Sequence, residues 1–148
     1  MNNKTYISEE QYYRDVSELL LKVKQHSFHR RDTGAIAIYR GGLVPGQLIA
    51  YSLDLPLSIY FPKLNIVSSP FSLVPEFNQF PKKLLIIDDL VDTGKTVFKL
   101  ITRLNVYSHI DLTVISLYNK VIEGKLLYPD ICVRDTCPDW IEFFYDPD

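Results

Sequence analysis

Short apolar runs alternate with segments of helical periodicity along most of the chain. Ala35-Ile-Ala-Ile-Tyr39 and Leu84 to Ile87 are continuous apolar runs of the length and type that form buried strands, and Leu57 to Phe61 and Leu112 to Tyr118 read as further strands. Between them the period changes. Tyr12, Val16, Leu19, Leu20 and Val23 recur at helical spacing, which predicts a helix from about residue 9 to 25. Ser8-Glu-Glu-Gln11 ahead of it is a capping-box pattern, with Ser8 as the cap and Gln11 reaching back. Pro45 opens a second helix to about Leu53, where its missing N–H has no partner to lose. Val97, Leu100, Ile101 and Leu104 mark a third. Strands that alternate with helices predict an α/β fold with a mostly parallel sheet and right-handed crossovers. Residues 62–82, with Pro62, Pro70, Pro75 and Pro81, form a connection long enough to be a functional lid.

Composition narrows this picture. A chain of 148 residues, 47% hydrophobic and 13% aromatic, suits one packed domain spanning 1–148 rather than disorder. The formal charge of −2 argues against a nucleic-acid surface. An anionic ligand would therefore need a local site and a divalent cation. No apolar run approaches the roughly 20 residues of a membrane span, and Met1-Asn-Asn-Lys-Thr-Tyr6 lacks a signal-peptide core. Cys132 and Cys137 cannot make a disulfide framework and lack a second ligand pair for zinc. They read as free thiols in a reducing cytoplasm.

The chemistry concentrates in Leu84-Leu-Ile-Ile-Asp-Asp-Leu-Val-Asp-Thr-Gly-Lys-Thr96. An apolar strand ends in Asp88 and Asp89, Asp92 follows, and Thr93-Gly94-Lys95-Thr96 leads into a helix. Backbone N–H groups and hydroxyls in such a loop can face a phosphate, aided by the positive end of the helix dipole. Gly94-Lys95-Thr96 is not the end of a nucleoside-triphosphate loop, because the required glycine five positions earlier is Asp89. A receiver domain does not fit either, since no later strand ends in an acceptor aspartate. Capping of the helix accounts for one carboxylate but not three. Arg40-Gly41-Gly42 repeats the strand, loop and helix device with a cation in place of carboxylates.

Ile86 to Thr96 resembles the phosphoribosyl-pyrophosphate motif of the type I phosphoribosyltransferases, and Arg40-Gly-Gly-Leu-Val-Pro45 resembles their pyrophosphate loop. The likeness is greatest to the bacterial xanthine-guanine branch. It extends to Lys120 and to Asp139-Trp-Ile-Glu142, covering about residues 35 to 145. The resemblance implies a mostly parallel central sheet flanked by helices, with a core at about 30–118, a flexible lid at about 62–82 and a small C-terminal hood at about 119–148. It implies that Asp88 and Asp89 hold the ribose hydroxyls, directly or through Mg²⁺, and that Thr93, Gly94, Lys95 and Thr96 cradle the 5′-phosphate. Position 95 is commonly small in the family; the Lys95 N–H still serves, and its ammonium adds phosphate affinity. Arg40, Gly41 and Gly42 would bind pyrophosphate, beside a peptide bond that can be cis in the family. Asp92 would be the general acid/base near the purine N7. Lys120 would donate to the 6-oxo group, Trp140 would stack on the base, and Ile141 would supply backbone contacts.

The implied activity is purine salvage: a 6-oxopurine (guanine, xanthine or hypoxanthine) plus phosphoribosyl pyrophosphate gives the nucleoside 5′-monophosphate. The implied state is a homo-oligomer, dimer or tetramer. Relatives usually carry a Ser-Tyr pair and basic residues in the lid, where this chain has Ser68-Ser69-Pro70-Phe71-Ser72 and Lys63. A second reading is therefore a non-catalytic or regulatory relative that binds phosphoribosyl pyrophosphate or nucleotides. No basic helix-turn-helix accompanies it.

Overall fold

The computed structural model describes residues 4–68, 81–104, 109–136 and 139–147. In chain order they form β1 (Lys4–Ile7), α1 (Glu9–Lys24), β2 (Thr33–Ile38), α2 (Leu43–Leu53), β3 (Leu57–Phe61), β4 (Ile66–Val67), β5 (Lys83–Val91), α3 (Lys95–Leu104), β6 (Asp111–Lys120), β7 (Ile131–Thr136) and β8 (Trp140–Phe143). Six strands make the central sheet in the order β4-β3-β2-β5-β6-β7. All its pairings are parallel except β3 with β4.

Alternation along the central strands sorts the core onto two faces. Ala35 of β2 and Leu85 and Ile87 of β5 join the cluster that includes Leu19 and Val23 of α1 and Ile49 of α2. Ile36 and Ile38 of β2 and Leu84 and Ile86 of β5 join Val97, Leu100 and Leu104 of α3. Helices thus cover both faces, as an apolar parallel sheet requires. Connections leave β2 toward β3 and leave β5 toward β6, on opposite sides. The crevice between the carboxyl ends of β2 and β5 is the switch point where ligands bind in open α/β sheets.

Several boundaries differ from the sequence reading for physical reasons. Ser8 caps α1 as expected, its hydroxyl accepting from Gln11 N at 3.2 Å. The Gln11 side chain does not turn back to Ser8; it donates to Asp15 Oδ1 at 2.9 Å. Asp15 is buried and needs donors, and it also accepts from Tyr118 Oη at 2.5 Å and from Arg134 at 2.8 Å. This carboxylate ties α1 to β6 and β7. Helix α2 begins at Leu43, so Pro45 lies within the first turn rather than opening it. Residues 62–65 turn back to bring β4 against β3 in an antiparallel hairpin. The remaining lid expectation, residues 69–80, lies outside the described residues.

The largest gain over the sequence reading is at the chain ends. Lys4–Ile7 forms a strand that pairs in parallel with Trp140–Phe143, as a separate two-stranded sheet. Strand β7 joins the central sheet beside β6. Among the described residues no helix is long and apolar enough to cross a membrane.

Candidate functional site

Parallel register decides which residues meet. Ala37 lies opposite Ile87, so the loop after β2 is level with the acidic pair. Val91 lies opposite Asn119, so Asp92 is level with Lys120. Strand β5 does not stop at the acidic pair: Asp88 pairs with Ser116, and the ladder continues to Val91. Asp is a poor strand former, but pairing with β6 overrides that preference.

The two carboxylates meet different neighbours while staying close enough to interact. Asp88 follows Leu84 and Ile86 onto the α3 side. There it lines a cavity of about 70 Å³ with Asp92, Thr93, Gly94, Lys95 and Thr96. Asp89 follows Leu85 and Ile87 onto the other side, where it meets Gly41 and Tyr145. A Cβ on Gly41 would fall within the Asp89 carboxylate, and one on Gly42 would strike the Ile87 carbonyl oxygen. Glycine is required there by close approach. Gly42 N also donates to Ile38 O at 2.8 Å, closing the loop onto its own strand, and the Tyr39–Arg40 peptide is cis. Burial foremost, and then the Asp89 carboxylate, push the Asp88 carboxyl well above its ordinary range. The Asp89 N–H, donating to Asp88 Oδ1 at 2.8 Å, opposes that rise. A bound cation or diol would relieve it.

The loop from Thr93 to Thr96 turns directly into α3. Gly94 has φ +85°, and its carbonyl accepts from Phe98 N at 2.8 Å as α3 begins. Thr93 Oγ1 accepts from Lys95 N at 3.3 Å. The N–H groups of the first turn of α3 have no helical carbonyl partner four residues back, and Lys95, Thr96 and Val97 line the cavity.

At the carboxyl end of β6 Lys120 is buried, 7% exposed, and its ammonium lies 3.4 Å from Asp92 Oδ2. A donor and an acceptor therefore stand side by side. Ile141 is buried in the core with Tyr12, Leu19 and Tyr118. Trp140 on the same strand is 61% exposed, its ring free for a flat partner. Arg40 is exposed at the mouth of the crevice, beside a cavity of about 370 Å³ lined by Tyr12, Tyr13, Gly41 and Tyr145.

Two residues at the site carried no sequence signal. Tyr145 donates its hydroxyl to Asp89 Oδ2 at 2.5 Å, and its ring stacks on Phe143 at 5.0 Å. Its hydroxyl is shifted upward by burial and then by Asp89. Lys125 places its ammonium on backbone oxygens around Asp92 and Lys120. Neither belongs to a recognisable spacing; Lys125 lies in the β6–β7 connection and Tyr145 follows β8.

The chain is similar to known proteins. The chain is 37% identical over 100 residues to a xanthine-guanine phosphoribosyltransferase of Desulfotalea psychrophila, a match covering 63% of this chain and 59% of that protein. It is 36% identical over 91 residues to a xanthine-guanine phosphoribosyltransferase of Nitratidesulfovibrio vulgaris, covering 59% and 54% respectively. The chain thus spans little more than half the length of these two relatives. A purine phosphoribosyltransferase structure from Pyrococcus horikoshii superposes with a TM-score of 0.71 at 25% identity, over 100% of this chain and 97% of that one. No protein-family model matches the chain. The fold is that of the type I phosphoribosyltransferases.

Proposed function

We propose that this chain transfers the 5-phosphoribosyl group from phosphoribosyl pyrophosphate to a 6-oxopurine, releasing pyrophosphate and the nucleoside 5′-monophosphate. One observation carries this reading: the Asp92 carboxylate and the Lys120 ammonium stand 3.4 Å apart at the ends of adjacent parallel strands. A 6-oxopurine presents O6, an acceptor, next to N7, which can carry a proton. Lysine donates and never accepts, and ionised aspartate accepts and does not donate, so the pair matches that edge. Adenine would turn an amino group toward Lys120, donor against donor.

The rest of the crevice fits the remaining parts of the substrate. Thr93 to Thr96 take the 5′-phosphate through N–H and hydroxyl donors at the helix start. Asp88 and Asp89 accept the ribose hydroxyls. Arg40 forks onto the pyrophosphate oxygens, and Gly41 and Gly42 let the backbone approach them. The purine stacks on the exposed Trp140 ring while its nitrogen attacks the anomeric carbon. Asp92 accepts the proton that the base loses at N7.

Mg²⁺ fits this donor set. Among the described residues no group of three or more His, Cys, Asp or Glu side chains gathers into a closed cage. Mg²⁺ is commonly held through one or two carboxylates plus substrate phosphates, which Asp88 and Asp89 would complete. When bound, it would neutralise charge on the leaving pyrophosphate. Steady-state assays with guanine, xanthine, hypoxanthine and adenine, each with phosphoribosyl pyrophosphate and Mg²⁺, test the proposal. Turnover of at least one 6-oxopurine and none of adenine is expected. Nucleotide binding without turnover of any base would favour a non-catalytic role.

A further inference from the structure

The connection from β6 to β7, residues 121–130, is not a passive loop. Its Lys125 ammonium lies 2.6 Å from Val91 O, 2.5 Å from Asp92 O and 2.8 Å from Lys120 O. These carbonyls lie at the carboxyl ends of β5 and β6, where the β5–β6 ladder runs out. An ammonium has three N–H donors, and here each finds one carbonyl. Burial lowers the Lys125 pKa, with Asp92 and Asp135 opposing, so the cation sits in a partly dry place and not in open solvent.

The neighbouring residues of the same connection hold the phosphate loop. Leu126 N donates to Thr93 O at 2.9 Å. Leu127 covers Gly94 so closely that a Cβ there would lie 2.8 Å from Leu127 N. The far end is fixed as well, because Asp130 Oδ2 accepts from Val114 N at 2.7 Å and Asp130 N donates to Val114 O at 2.8 Å. Three consecutive residues, Lys125 to Leu127, therefore touch the backbone of Val91, Asp92, Thr93, Gly94 and Lys120. No side chain of the connection needs to contact a substrate for it to set where both substrates bind.

We infer that Lys125 is a positioning residue: its ammonium bolts the carboxyl ends of β5 and β6 together, fixing Asp92 against Lys120 and joining the purine end of the site to the phosphate loop. This rests on the function proposed above. A neutral side chain at 125 leaves three strand-end carbonyls without that donor and lets the 121–130 connection lift. Asp92 and Lys120 then lose their fixed separation, and a misplacement on the order of 1 Å can cost about 10²-fold in rate.

The test compares wild type with Lys125→Met, Lys125→Arg and Lys125→Ala. Thermal melts identify any variant that fails to fold. Lys125→Met should lower kcat/KM for the purine by about 10²-fold while changing the KM for phosphoribosyl pyrophosphate much less. Lys125→Arg should recover most of that loss, and added ethylammonium should partly restore Lys125→Ala. Wild-type kinetics in Lys125→Met would overturn the inference. So would a loss that follows the melting temperature alone, with no recovery from arginine or ethylammonium. Guanosine 5′-monophosphate binding, read from the fluorescence of the single tryptophan, Trp140, separates this claim from the function itself. If wild type turns over no 6-oxopurine, the function fails and the clamp is judged by binding. Weaker binding in Lys125→Met supports it, and equal binding, or none in either protein, overturns it.

Discussion

The molecule crosses from strand to helix twice at its ligand crevice, and the two crossings are held in place by different means. The β2–α2 crossing, residues 39–42, is fixed from within the sheet. Gly42 closes onto Ile38 and presses against Ile87, and Gly41 leaves room for the Asp89 carboxylate. The β5–α3 crossing, residues 92–94, is fixed from outside, by Lys125, Leu126 and Leu127 of a connection that follows β6. The first crossing offers an exposed cation on a rigid turn. The second offers carboxylates and helix N–H groups on a turn that depends on a third segment. A rigid turn suits a leaving group held in one geometry, and a clamped turn suits a site where two substrates must be aligned. Under the proposed function the β5–α3 crossing carries the chemistry, and the β2–α2 crossing binds the pyrophosphate.

Substitutions can break this comparison. The largest effect is expected for Asp92→Asn, which removes the proton acceptor and leaves the shape of the second crossing alone. Its kcat should fall about 10²–10⁴-fold with the fold intact; unchanged kcat in the purine assay would remove that role. Leu100→Ala attacks the second crossing through its helix. Leu100 is fully buried on α3, and its truncation should cost about 2–5 kcal/mol in urea denaturation. Arg40→Ala should leave stability within about 0.5 kcal/mol, because the side chain is exposed. It should weaken phosphoribosyl pyrophosphate by about 1.5–3 kcal/mol, read as a rise in its KM, if the cation serves the ligand. Gly42→Ala, in contrast, should cost stability. The added methyl meets backbone at Ile87 and Ile38, so about 1–3 kcal/mol of stability should go, visible as a lower denaturation midpoint.

Much of this was legible in the sequence, for a local reason. Both crossings are short stretches in which an apolar run, small or charged residues and a helix start follow one another. Ile86 to Thr96 and Arg40 to Pro45 therefore carry their meaning in their own spacing. The buried runs also order the central strands, since an apolar parallel strand has few other places to go. What stayed hidden depends on partners distant in the chain. Lys4–Ile7 becomes a strand only because Trp140–Phe143 lies beside it. The reach of β5 through Asp88 and Asp89 depends on β6 as a partner, against the preference of aspartate itself. Gln11 abandoned its capping role because Asp15, buried by the fold, offered a stronger claim on its amide. Tyr145 and Lys125 are ordinary residues in polar or aromatic segments until the fold lays them on Asp89 and on the strand ends.

In the proposed function the Asp92–Lys120 pair reads a 6-oxopurine and the two crossings hold the phosphoribosyl group for it. The most direct measurement is nucleoside 5′-monophosphate formation from phosphoribosyl pyrophosphate and Mg²⁺ with guanine, xanthine, hypoxanthine or adenine, for wild type beside Lys120→Met. The proposed function requires product with at least one 6-oxopurine, none with adenine, and a sharp loss of the 6-oxopurine reaction in the variant. Adenine turnover by the wild type, or an unimpaired Lys120→Met, would contradict it.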